Sequence, residues 1–366
     1  MYICVLYTIL HPMSSKFEFK RSICFCDKRI TKKFKCDWFQ FYPLENYINN
    51  ELKTTHFPFV LEYKISTYDI KKTSYESLLD DEDQVLEEDK EFFSKMNHEY
   101  DVMIYILRLL TILTNYHFFI YQSDTGWFIN LDGKKNEDFF CVYGRKLYYD
   151  KNLKYFGFIS NFSETSYEDI KLIKHSNYYQ FPDIDNEENG ELEMSQFSLH
   201  FFNKLESLST LQKKYFDSAV VLINNGMKLR NEMKSLAFLA FISSIETMTA
   251  LEAKINNEEI EFECNSCKSI KNSKYTCNSC GRPIWGISQQ IKLYMEKFLS
   301  ENEKLKTAIN KLYNYRSKIA HSGSLLSGDI YFEWEDRKKR EEHHEALTAA
   351  MQYSKMSLVN YVLMNQ

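Results

Sequence analysis

Apolar positions in the C-terminal half recur at helical spacing. Ile291, Tyr294, Met295, Phe298, Leu299, Leu305, Ile309, Leu312 and Ile319 fall mostly three or four residues apart, the period of one buried helix face. The pattern predicts one long helix from near Ile287 to Gly323, a residue suited to the left-handed position that closes helices. Residues 197–208, 211–230 and 233–251 read as three earlier helices, and 346–364 as a last one. The first half is patterned differently. Two-residue alternation at 16–20 and around Trp38, Phe39 and Phe41, with 59–66, predicts strands. A helix over 87–115 follows, and its residues 103–113 are apolar on nearly every side, as burial requires. Beyond it, 117–122 with 127–131 and 139–143 with 146–149 read as two hairpins, with weaker strands at 155–160 and 178–181.

These elements predict an α+β protein with a boundary near residue 190. Residues 1–181 form a mixed module of strands and one long helix. The stretch 182–195 opens PDIDNEENGELE and reads as an acidic linker. Residues 196–366 form a helical domain. Residues 1–13 are apolar with no basic residue ahead of the apolar run, so they read as a first strand rather than a signal peptide. The acidic run from Asp80 to Asp89 reads as a solvated loop leading into a helix start.

Composition adds limits. With 366 residues, 44% hydrophobic and 27% charged, the chain is globular rather than disordered. No unbroken apolar run reaches 18 residues, so no membrane span is expected. A net charge of −5 leaves nucleic-acid binding to local patches. Nine cysteines, four of them in metal spacing, fit a reducing cytoplasm better than a disulfide scaffold.

The strongest local signal lies between two of the helices. Cys264, Cys267, Cys277 and Cys280 form CxxC, nine residues, CxxC, a tetrahedral zinc spacing, and they define a ribbon over residues 262–284. Four thiolates leave no open coordination position, so the zinc would be structural. Lys268, Lys271, Lys274 and Arg282 make this ribbon basic, with no acid between Cys264 and Arg282. It reads either as a nucleic-acid contact or as soluble surface. Cys24, Cys26 and Cys36 lack further ligands at close spacing and read as small buried hydrophobes. Residues 333–345 carry Arg337, Lys338, Lys339 and Arg340 beside acids and read as a solvated helix start. His343 and His344 share no helix face with another ligand. Glu246 stands in a mostly apolar run, where a carboxylate needs a partner. No nucleophile elbow, phosphate loop or HExxH is present. The N-terminal module therefore offers sensing, substrate positioning or oligomerisation.

Arg316 and His321 sit in LYNYRSKIAHSG at the end of the predicted long helix. Cations there complement the helix dipole. A five-residue step turns about 140°, so the two side chains do not stack and Arg316 must reach round. Arg, four residues, His, then Gly and a final helix resembles the HEPN superfamily, and more narrowly its ApeA-like and abortive-infection members, over about residues 196–366. That resemblance implies an endoribonuclease that needs no metal for its chemistry and cuts RNA by 2′-hydroxyl attack. His321 would be acid or base, and Arg316 would hold the phosphate. Glu246 would orient them, or else form a salt bridge on a partly exposed face. The family often has Asn or Asp after the Arg; here it is Ser317, a departure that touches the local hydrogen bonding. The resemblance also implies a homodimer or larger assembly with a composite cleft, and a cytoplasmic defence or toxin role. RNA, transfer RNA included, would be the substrate, with a phage-derived trigger as a further partner. Lys318 joins the ribbon's basic residues as a candidate RNA contact. The alternative is a non-catalytic HEPN-like module that binds RNA or protein.

Overall fold

The computed structural model describes residues 17–44, 56–66, 87–120, 125–128, 140–143, 146–149, 157–180, 191–256, 259–261, 263–284, 286–300, 303–329 and 336–365. The chain is α+β and divides into two compact units, Met1–Gln196 and Phe197–Gln366. The expected strand at 1–13 and the acidic run at 80–86 lie outside the described residues.

The first unit is built on an antiparallel sheet. Strands β1 (Phe17–Cys26) and β4 (Phe57–Ser66) pair over their full length, Phe17 opposite Ser66 and Cys26 opposite Phe57. Strand β3 (Phe39–Pro43) flanks β4, and β2 (Phe34–Lys35) flanks β3. One face carries Arg21, Ile23, Phe25, Gln40, Tyr42, Val60 and Glu62; the other carries Cys24, Phe39, Phe41, Phe59 and Leu61. Both faces are buried, which hides the simple alternation a one-sided sheet would show. Cys24 and Cys26 are fully buried, Cys36 half-buried, and burial pushes the thiol of Cys36 up to about 11. Helix α1 (Glu87–Leu113) packs against β4 and β5 (Phe118–Phe119), and the Thr111 hydroxyl accepts the Phe118 N–H at 3.0 Å.

Two strand expectations fail here. Strand β5 pairs with the end of β1, and β6 (Thr125–Phe128) pairs with β7 (Phe140–Tyr143), so among the described residues 117–120 and 127–128 are not paired as the expected hairpin. The aromatic run Phe118–Phe119 is drawn to the buried end of β1, where Phe25 and Cys26 lie opposite it. Residues 178–180 of the expected strand at 178–181 are helical instead: α2 (His175–Gln180) is a short helix, with the Tyr178 hydroxyl accepting from the Asn115 N–H. The second hairpin holds, β7 with β8 (Lys146–Tyr149), and β9 (Gly157–Ile159) joins β1. Strands β10 (Leu172–Ile173) and β11 (Met194–Ser195) run parallel, so the end of the acidic stretch is paired and buried.

The second unit is helical. Helices α4 (Thr210–Leu229), α6 (Ile287–Leu299), α7 (Glu303–Ser322) and α8 (Arg337–Met364) pack around α5 (Lys234–Ile255), and α3 (Ser198–Leu205) packs against α8. By length and mean hydropathy α5 alone among the described helices could cross a membrane, yet 56% of its apolar window is buried inside this unit. Its Lys, Ser, Thr and Glu residues break the apolar run, which is why counting consecutive apolar residues passes over it. The predicted single helix from Ile287 to Gly323 is two. The chain breaks at Ser300, with φ 84°, and resumes at Glu303. Phe298 and Leu305 are seven residues apart, two full turns, so the apolar stripe keeps its phase across the break and periodicity alone cannot see it.

Candidate functional site

Helices α5 and α7 bring three side chains together. Arg316 Nε lies 3.1 Å from Glu246 Oε1, and Arg316 Nη1 lies 3.4 Å from His321 Nε2. The 140° offset between Arg316 and His321 is spanned by the length of the guanidinium arm. Arginine only donates, so in this contact His321 Nε2 is the acceptor. Arg316 and Glu246 are half-buried, and His321 is exposed. Glu246 Oε1 is itself buried and, although ion-paired, receives no aligned hydrogen bond. The guanidinium carbon also stands 5.9 Å from the Tyr313 ring centroid. Burial and then the Glu246 charge hold the Tyr313 phenol above its usual range, with Arg316 opposing them. Ser317 and Lys318 are exposed.

The loop after His321 is held by residues that the sequence reading left out. Gly323 has φ 64°, and across it the Ser324 N–H donates to the Lys318 carbonyl at 3.3 Å. Asp329 then accepts the Lys234 and Ser235 N–H groups, both at 2.7 Å. It caps the start of α5 in place of Met233, whose side chain cannot. The Leu326 N–H donates to Ser235 Oγ at 2.7 Å, and the Ser327 N–H to His343 Nδ1 at 2.8 Å. His343 is therefore a buried structural acceptor in α8, while His344 is exposed. The only sequence signal for this latch was an acid a few residues past a helix-ending glycine.

The four ribbon cysteines converge, with all four Sγ atoms within 4.8 Å of one another. Cys264 and Cys280 sulfurs are 3.8 Å apart, and Cys267 and Cys277 sulfurs 3.3 Å. The two knuckles repeat one geometry. In the first, the Lys268 N–H donates to the Cys264 carbonyl; in the second, the Gly281 N–H donates to the Cys277 carbonyl, each at 2.8 Å. Lys268 and Gly281 occupy the same position and both have positive φ, 61° and 69°. A short hairpin, β12 (Glu259–Glu261) with β13 (Lys271–Ser273), carries the ribbon. Main-chain N–H groups of Cys267 and Ser266 pull the Cys264 thiol down to about 6. Cys277 is lowered too, the Cys280 N–H and the Cys267 thiol outweighing its burial. Four sulfurs this close, with no disulfide among them, fit a metal ion. Of the basic residues, Lys268, Lys271 and Arg282 are exposed, and Lys274 is half-buried. Lys268 pairs with Glu263 at 3.1 Å, just outside the acid-free stretch.

No family model matches the chain, and neither the curated proteins nor the solved structures give a significant match.

Proposed function

We propose that the helical unit is a HEPN-type endoribonuclease whose chemistry rests on Arg316 and His321, with Glu246 as the positioning residue. The observation that carries this reading is the three-residue cluster: an acid from α5 holding a guanidinium that in turn touches a histidine on α7. A substrate phosphate would compete for Arg316 Nη1 and draw it from His321 Nε2. The released lone pair then takes the proton of the ribose 2′-hydroxyl. The 2′-oxygen bonds to phosphorus, the bond to the 5′-oxygen breaks, and a proton must reach that leaving oxygen. Arg316 stabilises the charge that builds on the phosphoryl oxygens. The products are a 2′,3′-cyclic phosphate and a 5′-hydroxyl. Cys264, Cys267, Cys277 and Cys280 would hold a zinc ion with a structural role, since four thiolates leave no open position. The setting is a reducing cytoplasm and a defence or toxin role against phage.

The test is to incubate wild-type, His321→Ala and Arg316→Ala with total RNA and transfer RNA and to map the ends. Wild-type should leave cyclic or 3′-phosphate ends, and both variants should lose about 10²–10⁴ in rate. His321→Ala should cost no more than about 1–2 kcal/mol in stability, as an exposed helix-end substitution. Equal cleavage by all three proteins would sink the assignment. Induction in cells, with and without phage infection, should slow growth for wild-type alone.

A further inference from the structure

Helix α7 is basic within an acidic chain. It holds five cations and one acid, Glu303, where the whole protein carries a net charge of −5. Three of the cations form a row. Lys304, Lys311 and Lys318 are seven residues apart, so they keep to one face and advance about 10.5 Å at each step. All three are exposed. Among the described residues the ion pairs of α7 are Lys306 with Glu303 and Arg316 with Glu246, which leaves the three lysines of the row unpaired. A second row runs beside the first, about 60° round the helix: Thr307, Asn314 and then His321, again seven apart and again exposed. Helix stability does not account for the lysines. A cation in the first turn opposes the helix dipole, and Lys304 stands there. No acid lies three or four residues from Lys311 or Lys318.

The chemistry of this face fits a chain of phosphates. Lysine meets a phosphate as a point charge and reads no base edge, and hydroxyl and amide groups such as those of Thr307 and Asn314 hydrogen-bond phosphate and sugar. The helix exposes no large apolar side chain that could enter a lipid layer. A second copy of α7 laid along the row would set lysine against lysine. From Lys304 to Lys318 the row spans about 21 Å, and His321 lies about 4.5 Å further along the axis. We propose that this row is a track for the backbone of a single RNA strand and delivers it to His321 and Arg316. One row of cations serves one strand. The choice of RNA rests on the ribonuclease reading; the charge pattern does not. Lys304, Lys311 and Lys318 are positioning residues, holding phosphates away from the reacting atoms.

Binding has to be measured without cleavage. Full-length protein is titrated into a labelled 2′-O-methyl oligoribonucleotide, and fluorescence anisotropy is read across a salt series. Each phosphate contact on a single strand contributes about 0.7 to the slope of log K against log salt. Changing Lys304, Lys311 and Lys318 together to Gln should therefore lower the slope by about 2. Binding should weaken roughly a hundredfold at about 0.1 M salt, with the gap closing toward about 1 M. The melting temperature should not move, because the three side chains are exposed. Lys311→Gln alone, expected to lower the slope by about 0.7, serves if the triple variant does not fold. A ribbon variant with Lys268, Lys271 and Arg282 changed to Gln should keep the wild-type slope. No binding by wild-type, an unchanged slope in a folded variant, a loss confined to the ribbon variant, or tighter binding of poly-aspartate or of anionic lipid vesicles than of the oligonucleotide would overturn the proposal. None of these outcomes depends on whether the wild-type cuts RNA. Binding that passes them in a protein that cuts nothing would sink the nuclease reading and keep the track.

Discussion

Two carboxylates show how differently one residue type is used. Glu62 is fully buried in β4 and fully answered: it accepts from Arg21 Nε at 2.8 Å, Gln40 Nε2 at 2.6 Å, the Tyr42 hydroxyl at 2.8 Å, and the Ser163 N–H and hydroxyl at 2.8 and 2.6 Å. It pins the segment around Ser163 to the sheet. Glu246 has a guanidinium beside a buried oxygen and no aligned donor. The first arrangement belongs to a fold that is finished; the second leaves Arg316 able to change partners, and it makes Arg316→Ala more costly than His321→Ala because a half-buried charge loses its counter-ion. The Glu62 network has a pH signature. Burial pushes its carboxyl up, but the Ser163, Arg21 and Tyr42 donors outweigh it, so the folded value is lowered. A lowered value gives stability that is present above the unfolded carboxylate value, about 4.3, and is lost as pH falls through the folded one. Glu62→Gln should lose on the order of 3 kcal/mol at pH 7. Urea unfolding from pH 7 down to pH 3 should show that gap closing as wild-type Glu62 takes up its proton. A constant gap would mean the charge does not contribute.

At the scale of elements, the centre of the helical unit depends on a close approach. A Cβ on Gly226 of α4 would lie 2.6 Å from Cε1 and 2.8 Å from Cζ of Phe241 in α5, whose ring is fully buried. Gly226→Ala gains about 1 kcal/mol in helix propensity and loses about 1–3 kcal/mol to overpacking, for a net loss near 1 kcal/mol. Phe241→Leu in the same chain should return part of it, and additive losses in a double-mutant cycle would refute the contact. Elements of this kind were legible where one rule sufficed. The stripe from Ile291 to Ile319 marked two helix faces, the paired CxxC steps marked the ribbon, and an acid in an apolar helix marked Glu246 as needing a partner. What was not legible was set by residues far apart in the chain. Asp329 caps a helix 95 residues upstream, β5 leaves its neighbour for β1, and Ser300 breaks a helix whose apolar phase runs on unbroken. No local pattern carries such information, because propensity and period see only the near neighbours.

For the molecule as a whole, the question is how many chains make a working site, and the four-cysteine ribbon bears on it through folding. Cys277→Ser should bind less zinc by elemental analysis and melt lower, because a structural metal's binding energy is folding energy; a variant with full zinc and an unchanged melt would show that the four sulfurs do not act as one site. The proposed cleavage chemistry asks for more than one chain supplies. Each copy has a single histidine in the cluster, beside one arginine and one acid. Moving a proton off the 2′-hydroxyl and another onto the leaving oxygen needs an acid and a base together. One imidazole serves both only by turning over between them. A two-fold axis placing two copies of α7 together would set His321 of one chain as base and its twin as acid. The active species should therefore be at least a dimer. Light scattering should find that mass at assay concentration, and specific activity should fall on dilution at the concentration where the mass halves. Full activity in a species that scatters as a monomer would refute the paired site and leave His321 to carry both transfers alone.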